Sequence, residues 1–415
     1  MSGISRSALR LFTVAALLGG GMAKALASDI LWWAPNWGQA RAEELARKFE
    51  AANPDLKVKI EVTVSDGLQN RVLVALKSGS PPDLIEIQNG WNIPFAATGT
   101  LMPLDEIYAK NKIDKADFAP AAMSLSTYEG KLYGLPYRIE AHAVYYNKTA
   151  FKEAGLDPQN PPKTWPELVA AAKKLTRTVN GKPQYGYGIT GGGEFGNTIY
   201  RTLPLIWMNG GSILSDDMKE VVVNQKPAVE AVEFYTGMLT REKVAPPSTL
   251  QNDGLALRRL FIAGAVAMYQ SGQFDLVAIR KENPSLDFGS MPIPAPVGKK
   301  PAALLGGWHF IIPAAAPNKD GAARLLAFLA EPGNMGFYTD TFPARTSAMN
   351  LPRFQAPELA AFKEMLQYAR PAPAHKNWVQ ITQTYFDNLQ RVLTGEATAQ
   401  KAMDDAAADI RSLLE

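Results

Sequence analysis

Glu140 is an isolated acid held between Ile139 and Ala141, and of all the side chains in the sequence it has the clearest capacity to grip a polar ligand. A carboxylate at the rim of a cleft accepts hydroxyl groups, and such charge-assisted bonds are about twice as strong as neutral ones. Read alone, the same residue is more readily a surface acid on an edge strand. Trp37, Trp91 and Trp308 follow the ends of expected strands, where an indole face can stack on the C–H face of a pyranose; core packing is the alternative for each. An anionic ligand would instead call on Arg138, Arg201 or Arg345, or on backbone N–H groups in the glycine run 191–193. Trp207, in an apolar run, is assigned to the core, and Trp165 to a helix start.

Catalytic patterns are sparse. His142, His309 and His375 have no metal-ligand spacing, and neither a G-x-S-x-G elbow nor a phosphate-binding Walker loop occurs. Glycosidic hydrolysis needs two carboxylates about 5–10 Å apart. Glu140 with Asp66 or Glu194 stays open as such a pair, without a glycosidase signature around it.

The elements that must position these residues begin after a leader. Arg6 and Arg10 precede an apolar run at residues 11–18, and Ala25, Leu26 and Ala27 form a small-x-small cleavage site, so a signal peptide 1–27 is expected, with a mature chain from Ser28. The leader holds three of the 43 basic residues, which leaves 40 to balance the 40 acids. A neutral mature chain offers no broad attraction to nucleic acid or anionic lipid. With no cysteine, the sequence excludes disulfides, thiolate metal sites and a lipidated cleavage-site cysteine. Beyond the leader no run reaches the ~18 apolar residues of a membrane span, and 415 residues exceed one ordinary core.

The mature start reads as β-α-β-α-β: a strand at residues 30–33, a helix burying Ala42, Leu45, Ala46 and Phe49, an alternating strand of Val58, Ile60, Val62 and Val64, a helix through Val72 and Leu76, and a strand of Leu84, Ile85 and Ile87. Such lobes bind ligands in loops beyond the carboxyl ends of their strands. Those loops hold Asn36 and Trp37, then Ser65 and Asp66, then Gln88, Asn89 and Trp91. Further on, Leu135 and Tyr137 suit a strand, and Val144 and Tyr146 belong to a second. Thr164 with Glu167 forms a capping box before a helix through Leu168, Ala171, Ala172 and Leu175. A second lobe is expected from about Ala143. It contains a helix at about 227–239, a helix and strand over 257–269, and a proline-rich stretch 291–298 too irregular for a central strand. Residues 304–349 read as strand, turn, helix and proline-bounded loop, with Ala323, Leu326, Ala327 and Ala330 on one helix face.

Three blocks carry a resemblance that covers nearly the whole mature chain: YEGKLYGLPYRIEAHAVYYNKTAFKEAGLDPQNPPKTWPELVAAAKKLT at 128–176, LRRLFIAGAVAMYQSGQFDL at 257–276, and LLGGWHFIIPAAAPNKDGAARLLAFLAEPGNMGFYTDTFPARTSAM at 304–349. Together they resemble bacterial extracellular solute-binding proteins of the maltose-binding type. The resemblance implies an α/β, two-lobe periplasmic binding protein fold of type II, with a hinge of crossing segments near 137–142, 289–295 and 334–340. Its N-terminal lobe would take 28–138 and about 292–333, its C-terminal lobe about 143–288 and 334–415. It places Glu140 at the sugar site, joined by the loop residues named above and by Tyr200, Gln270, Ser271, Phe274, Gly307, Trp308 and Arg345, with Gly192 and Gly193 offering backbone donors. Phe274 stands where many sugar binders have tryptophan. The implied protein is a monomeric periplasmic carrier, neither enzyme nor lipoprotein and without cofactor, that delivers a mono-, di- or oligosaccharide to inner-membrane ABC permease subunits backed by an ATPase. A phosphorylated or sulfonated polyol or sugar, such as a glycerol phosphate, is the alternative ligand; a secreted glycosidase is the remaining alternative.

Overall fold

The computed structural model describes residues 28–64, 67–193 and 195–414, so the expected leader lies outside the described residues. From the start, β1 (Ser28–Pro35), α1 (Gln39–Ala52), β2 (Leu56–Thr63), α2 (Leu68–Lys77) and β3 (Leu84–Gln88) form the expected β-α-β-α-β unit. Then come α3 (Asn89–Ala97), β4 (Leu135–Glu140) and, two residues later, β5 (Ala143–Asn147). The next elements are α4 (Trp165–Leu175), α5 (Phe195–Met208), α6 (Lys226–Thr240), β6 (Met268–Ser271), α7 (Asp275–Glu282) and β7 (Phe288–Met291). The chain ends with β8 (Gly306–Ile311), α8 (Lys319–Ala330), α9 (Pro332–Tyr338), β9 (Phe342–Pro343), α10 (Trp378–Thr394) and α11 (Ala399–Arg411).

These strands make two main sheets. The first has the order β9-β4-β8-β3-β1-β2, with β1 parallel to β2 and β3, and β8 antiparallel to β3 and β4. The second is the antiparallel trio β6-β5-β7. Position in the sheet explains the sequence pattern: edge strand β2 alternates half-buried and exposed side chains, whereas β3, covered on both faces, buries its first four residues. In α1 the buried residues are the expected Ala42, Leu45, Ala46 and Phe49. The α4 capping box also forms, with Thr164 N–H donating to Glu167 Oε2 at 3.0 Å and Glu167 N–H to Thr164 Oγ1 at 3.4 Å.

The structure differs from the sequence reading in three places. In α8 the buried face is Gly321, Ala322, Leu325, Leu326, Leu329 and Ala330, so Ala323 and Ala327 lie off it; two apolar stripes compete in this alanine-rich helix, and the larger leucines win the core. Residues 334–340 are not a crossing. Tyr338 stacks on Phe310 at 5.8 Å in the first lobe's core, and β9 pairs with β4. Nor do residues from 292 join the first sheet at once, because Ala295 bridges Thr164 and Ala303 pairs with Ala369 before β8 begins. β4 and β5, which lie in different sheets, are joined by Ala141 and His142, both buried.

Candidate functional site

Alternation along β4 puts Arg138 and Glu140 on one face of the strand, two residues apart. Arg138 Nη2 donates to Glu140 Oε2 at 2.6 Å, and Nη1 is ion-paired at 2.8 Å with Asp340 in the connection between α9 and β9. The guanidinium also lies over the Trp37 ring, 4.3 Å from its centroid. Burial opposes the Arg138 charge, yet the carboxylates of Asp340 and Glu140 hold its pKa above the usual guanidinium value. Gly306 and Gly307 on β8 make room for this cluster. A Cβ on Gly306 would sit 2.6 Å from Glu140 Cγ, and one on Gly307, whose φ is +148°, would sit 2.2 Å from the Arg138 carbonyl oxygen. The close approach these glycines permit is therefore to the neighbouring strand.

A cleft of about 680 Å³ opens over this cluster, walled on one side by Trp37, Gln88, Gly307, Trp308 and Asp340 and on the other by Tyr200, Arg201, Arg258, Ser271, Phe274 and Asp275. Trp37, in the turn after β1, meets Trp308 edge-on with ring centroids 5.6 Å apart. That turn needs Gly38, whose Cβ would lie 2.9 Å from the Tyr338 hydroxyl. His142, on the crossing, stacks on Tyr200 at 5.4 Å and meets Phe274 at 6.2 Å. Burial, with Arg201 nearby, pushes its imidazole well below the ordinary range, so it is neutral at pH 7. Asp275 accepts from Tyr269 at 2.9 Å and pairs with Arg258 at 3.0 Å, while burial raises its pKa. In all, the lining has six basic side chains (Arg41, Arg138, Arg201, Arg258, Lys281 and Arg353) and four acids (Glu140, Asp275, Glu282 and Asp340).

Comparison with known proteins matches residues 34–336 to the family model of the bacterial extracellular solute-binding protein. The chain belongs to this family. A protein of Brucella abortus, named as a binding protein, is 30% identical over 378 residues, spanning 90% of this chain and 89% of its own. The sn-glycerol-3-phosphate-binding periplasmic protein of Salmonella typhimurium is 28% identical over 388 residues, spanning 88% of this chain and 87% of its own. Among solved structures, an ABC transporter solute-binding protein of Thermotoga lettingae bound to α-D-tagatose superposes with a TM-score of 0.85 at 27% identity, covering 94% of this chain and all of that one. The two sheets are thus the two lobes of a solute-binding protein, and the cleft runs between them.

The solute-binding architecture gathers ten of the sequence-derived candidates in the cleft: Trp37, Gln88, Arg138, Glu140, Tyr200, Arg201, Ser271, Phe274, Gly307 and Trp308. Gln270 stands behind it, donating to the Tyr200 carbonyl at 3.0 Å and so fixing that helix turn. Asn89 and Trp91 line a small cavity next to the cleft, and Asn89 Nδ2 is committed to the Leu305 carbonyl at 3.0 Å. Asn36 is exposed outside the cleft lining. Gly192 lies outside it as well: the N–H groups of Gly191 and Gly192 both donate to Asn252, and a Cβ on Gly192 would sit 2.6 Å from the Leu250 carbonyl oxygen. Gly193, exposed at φ +73°, completes that turn. Arg345 serves structure elsewhere, bonded to Asp117 at 2.7 Å and to the Ala330 carbonyl at 2.8 Å. Ser65, Asp66 and Glu194 lie outside the described residues, so no carboxylate pair with Glu140 involving them is described. Sequence reading missed His142, although Arg138, Glu140 and His142 recur every second residue and that period was the available signal. Asp340, Arg41 and Arg353 come from distant segments and gave no local signal.

Proposed function

We propose that the chain is the periplasmic substrate-binding component of an ABC importer, that it captures a carbohydrate between its lobes, and that it acts as a monomeric carrier rather than an enzyme. The observation that carries this reading is the 680 Å³ cleft with walls from both lobes, because a ligand touching both walls favours the closed state by its difference in affinity for the two states. In the proposed complex Glu140 Oε1 accepts ligand hydroxyls, Oε2 being held by Arg138, while Trp37 and Trp308 face the sugar ring. Micromolar affinity, about −8 kcal/mol, suits a carrier that must also release its load to the permease. The leader 1–27 would direct export without a lipid anchor. We assign residues 28–140 and 306–343 to the first lobe and 143–291, with the helices α10 and α11, to the second.

A second reading has its own support. The cleft lining has more basic than acidic side chains, and the Salmonella relative is named for sn-glycerol 3-phosphate, so a phosphorylated polyol is the competing ligand. A thermal-shift screen of residues 28–415 against mono- and disaccharides, polyols and their phosphates separates the two, since a ligand at hundredfold excess over its Kd stabilises by about 2.7 kcal/mol. A shift with neutral sugars supports the main reading, and shifts confined to phosphates support the second. Slow consumption of a sugar without any shift would return the glycosidase. For a sugar that binds, Glu140→Ala weakens affinity about tenfold or more, measured by calorimetric titration; unchanged affinity would remove Glu140 from the site.

A further inference from the structure

One guanidinium, that of Arg138, holds two carboxylates side by side: Glu140 Oε2 is bonded to Nη2 at 2.6 Å, and Asp340 Oδ1 is ion-paired with Nη1 at 2.8 Å. The two acids come from separate segments of the first lobe, and both line the cleft. Each commits one oxygen to the arginine. Asp340 Oδ1 is enclosed, whereas Asp340 Oδ2 and Glu140 Oε1 keep open surface and, among the described residues, have no hydrogen-bond partner. The side chain of Asp340 is 20% exposed and that of Glu140 11%. Gly306 preserves the space beside Glu140 Oε1, since a Cβ there would lie 2.9 Å from that oxygen and 3.1 Å from Cε1 of Tyr200 on the opposite wall. Arg353 also feels the Asp340 charge, but it donates to the carbonyls of Gly336, Phe337 and Thr339 and leaves Oδ2 unbonded.

Ionised carboxylates only accept hydrogen bonds, so whatever completes this pair must donate. A phosphate offers acceptor oxygens and the same sign of charge. An ammonium donates, but it would add a cation to a lining in which basic side chains already outnumber acids six to four. Hydroxyl groups donate without charge. Because a guanidinium presents its Nη atoms next to each other in one plane, the two acids are neighbours, and the donors that match them sit on neighbouring atoms of one ligand.

We propose that Asp340 is a second ligand-contacting acid, and that Asp340 Oδ2 and Glu140 Oε1 together recognise two hydroxyls on adjacent carbons. The inference rests on the carrier reading above and narrows it: the ligand presents a neutral vicinal diol to this wall, whatever its other end carries. A pyranose and the glycerol end of a phosphorylated polyol both contain one.

The test is calorimetric titration of residues 28–415, as wild type, Asp340→Asn and Glu140→Gln, with two probe sets. One is D-glucose with its monodeoxy analogues. The other is sn-glycerol 3-phosphate with propane-1,2-diol 1-phosphate and 3-hydroxypropyl phosphate, each of which lacks one of its two hydroxyls. Both substitutions are close to isosteric and leave Arg138 one carboxylate, so no buried charge is stranded. In the set that binds, each variant loses about tenfold in affinity for the parent probe. For one analogue, the one missing the hydroxyl that the altered residue would contact, it stays within about twofold of wild type. The analogues that single out Asp340 and Glu140 lack hydroxyls on adjacent carbons. The set that responds tells a sugar from a glycerol phosphate. Unchanged parent affinity in Asp340→Asn, or an equal loss for the parent and every analogue, overturns Asp340 as a ligand contact and leaves the carrier reading intact. Analogues that point to carbons not adjacent overturn the paired recognition. If wild type binds neither parent probe, the diol proposal falls, and the thermal-shift screen judges the carrier reading by itself.

Discussion

Arg138→Met destabilises the chain by about 3–5 kcal/mol, the range found when one partner of a buried ion pair is removed. The size follows from what the change leaves behind. Arg138 is 4% exposed and lies between two carboxylates, Glu140 at 2.6 Å and Asp340 at 2.8 Å. Without the guanidinium, two like charges face each other across a space walled by Trp37 and Trp308, with no other cation bonded to either among the described residues. The loss also breaks a tie between β4 and the α9–β9 connection, segments some 200 residues apart in sequence. Urea unfolding monitored by tryptophan fluorescence measures it. The triple change Arg138→Met, Glu140→Gln, Asp340→Asn should recover most of the loss, because it removes the charges as a set. A single Arg138→Met variant as stable as wild type would show that the triad is solvated and contributes little.

How far this cluster could be read from sequence depends on how local its parts are. Arg138, Glu140 and His142 sit on one strand and its continuation, so alternation alone places them together. The Asp340 partnership depends on β9 pairing with β4, which the proline-bounded loop reading of that segment did not anticipate. The β-α-β-α-β order of the start was legible because its periodicities are strong and its turns carry glycine and proline, although the expected strand residue Val64 lies past the end of β2 and is exposed. Two alternative faces made α8 ambiguous, and packing resolved it in favour of leucine. Glycines misled in part. Gly192, expected to offer a backbone donor to the ligand, instead admits the Leu250 carbonyl, and Gly307, which does line the cleft, also makes room for the Arg138 carbonyl. A sequence shows that a close approach is needed but not what approaches.

Glu86 escaped notice for a related reason, and it supports the other large effect. It lies in β3 within the run Leu84 to Ile87, buried to 1% exposure, and its partners arrive from three remote elements. Trp32 Nε1 donates to Oε1 at 2.9 Å, the Tyr338 hydroxyl donates to the same oxygen at 2.6 Å, and the Tyr137 hydroxyl bonds Oε2. Burial pushes the carboxyl from 4.5 up to about 8, although the three hydrogen bonds and Arg138 pull the other way. Between those pH values the folded chain keeps a proton that the unfolded chain releases. The stability contributed by that proton is therefore whole below about pH 4.5, declines as pH rises, and is gone above about pH 8; at about 1.4 kcal/mol per pH unit the total is about 5 kcal/mol. His142 works in the opposite sense, since its depressed pKa contributes stability above its ordinary 6.5 that is lost as pH falls. The difference between wild type and Glu86→Gln cancels the histidine and isolates the acid. The glutamine amide can accept from Trp32 and Tyr338 through its oxygen and donate to Tyr137 through its nitrogen, so it matches the protonated acid. In urea unfolding at pH 5, 7 and 9, the two proteins should be nearly equal at pH 5, with the variant several kcal/mol the more stable at pH 9. A difference that does not grow with pH would mean that Glu86 is already ionised in the folded chain and that its three donors, with Arg138, outweigh its burial.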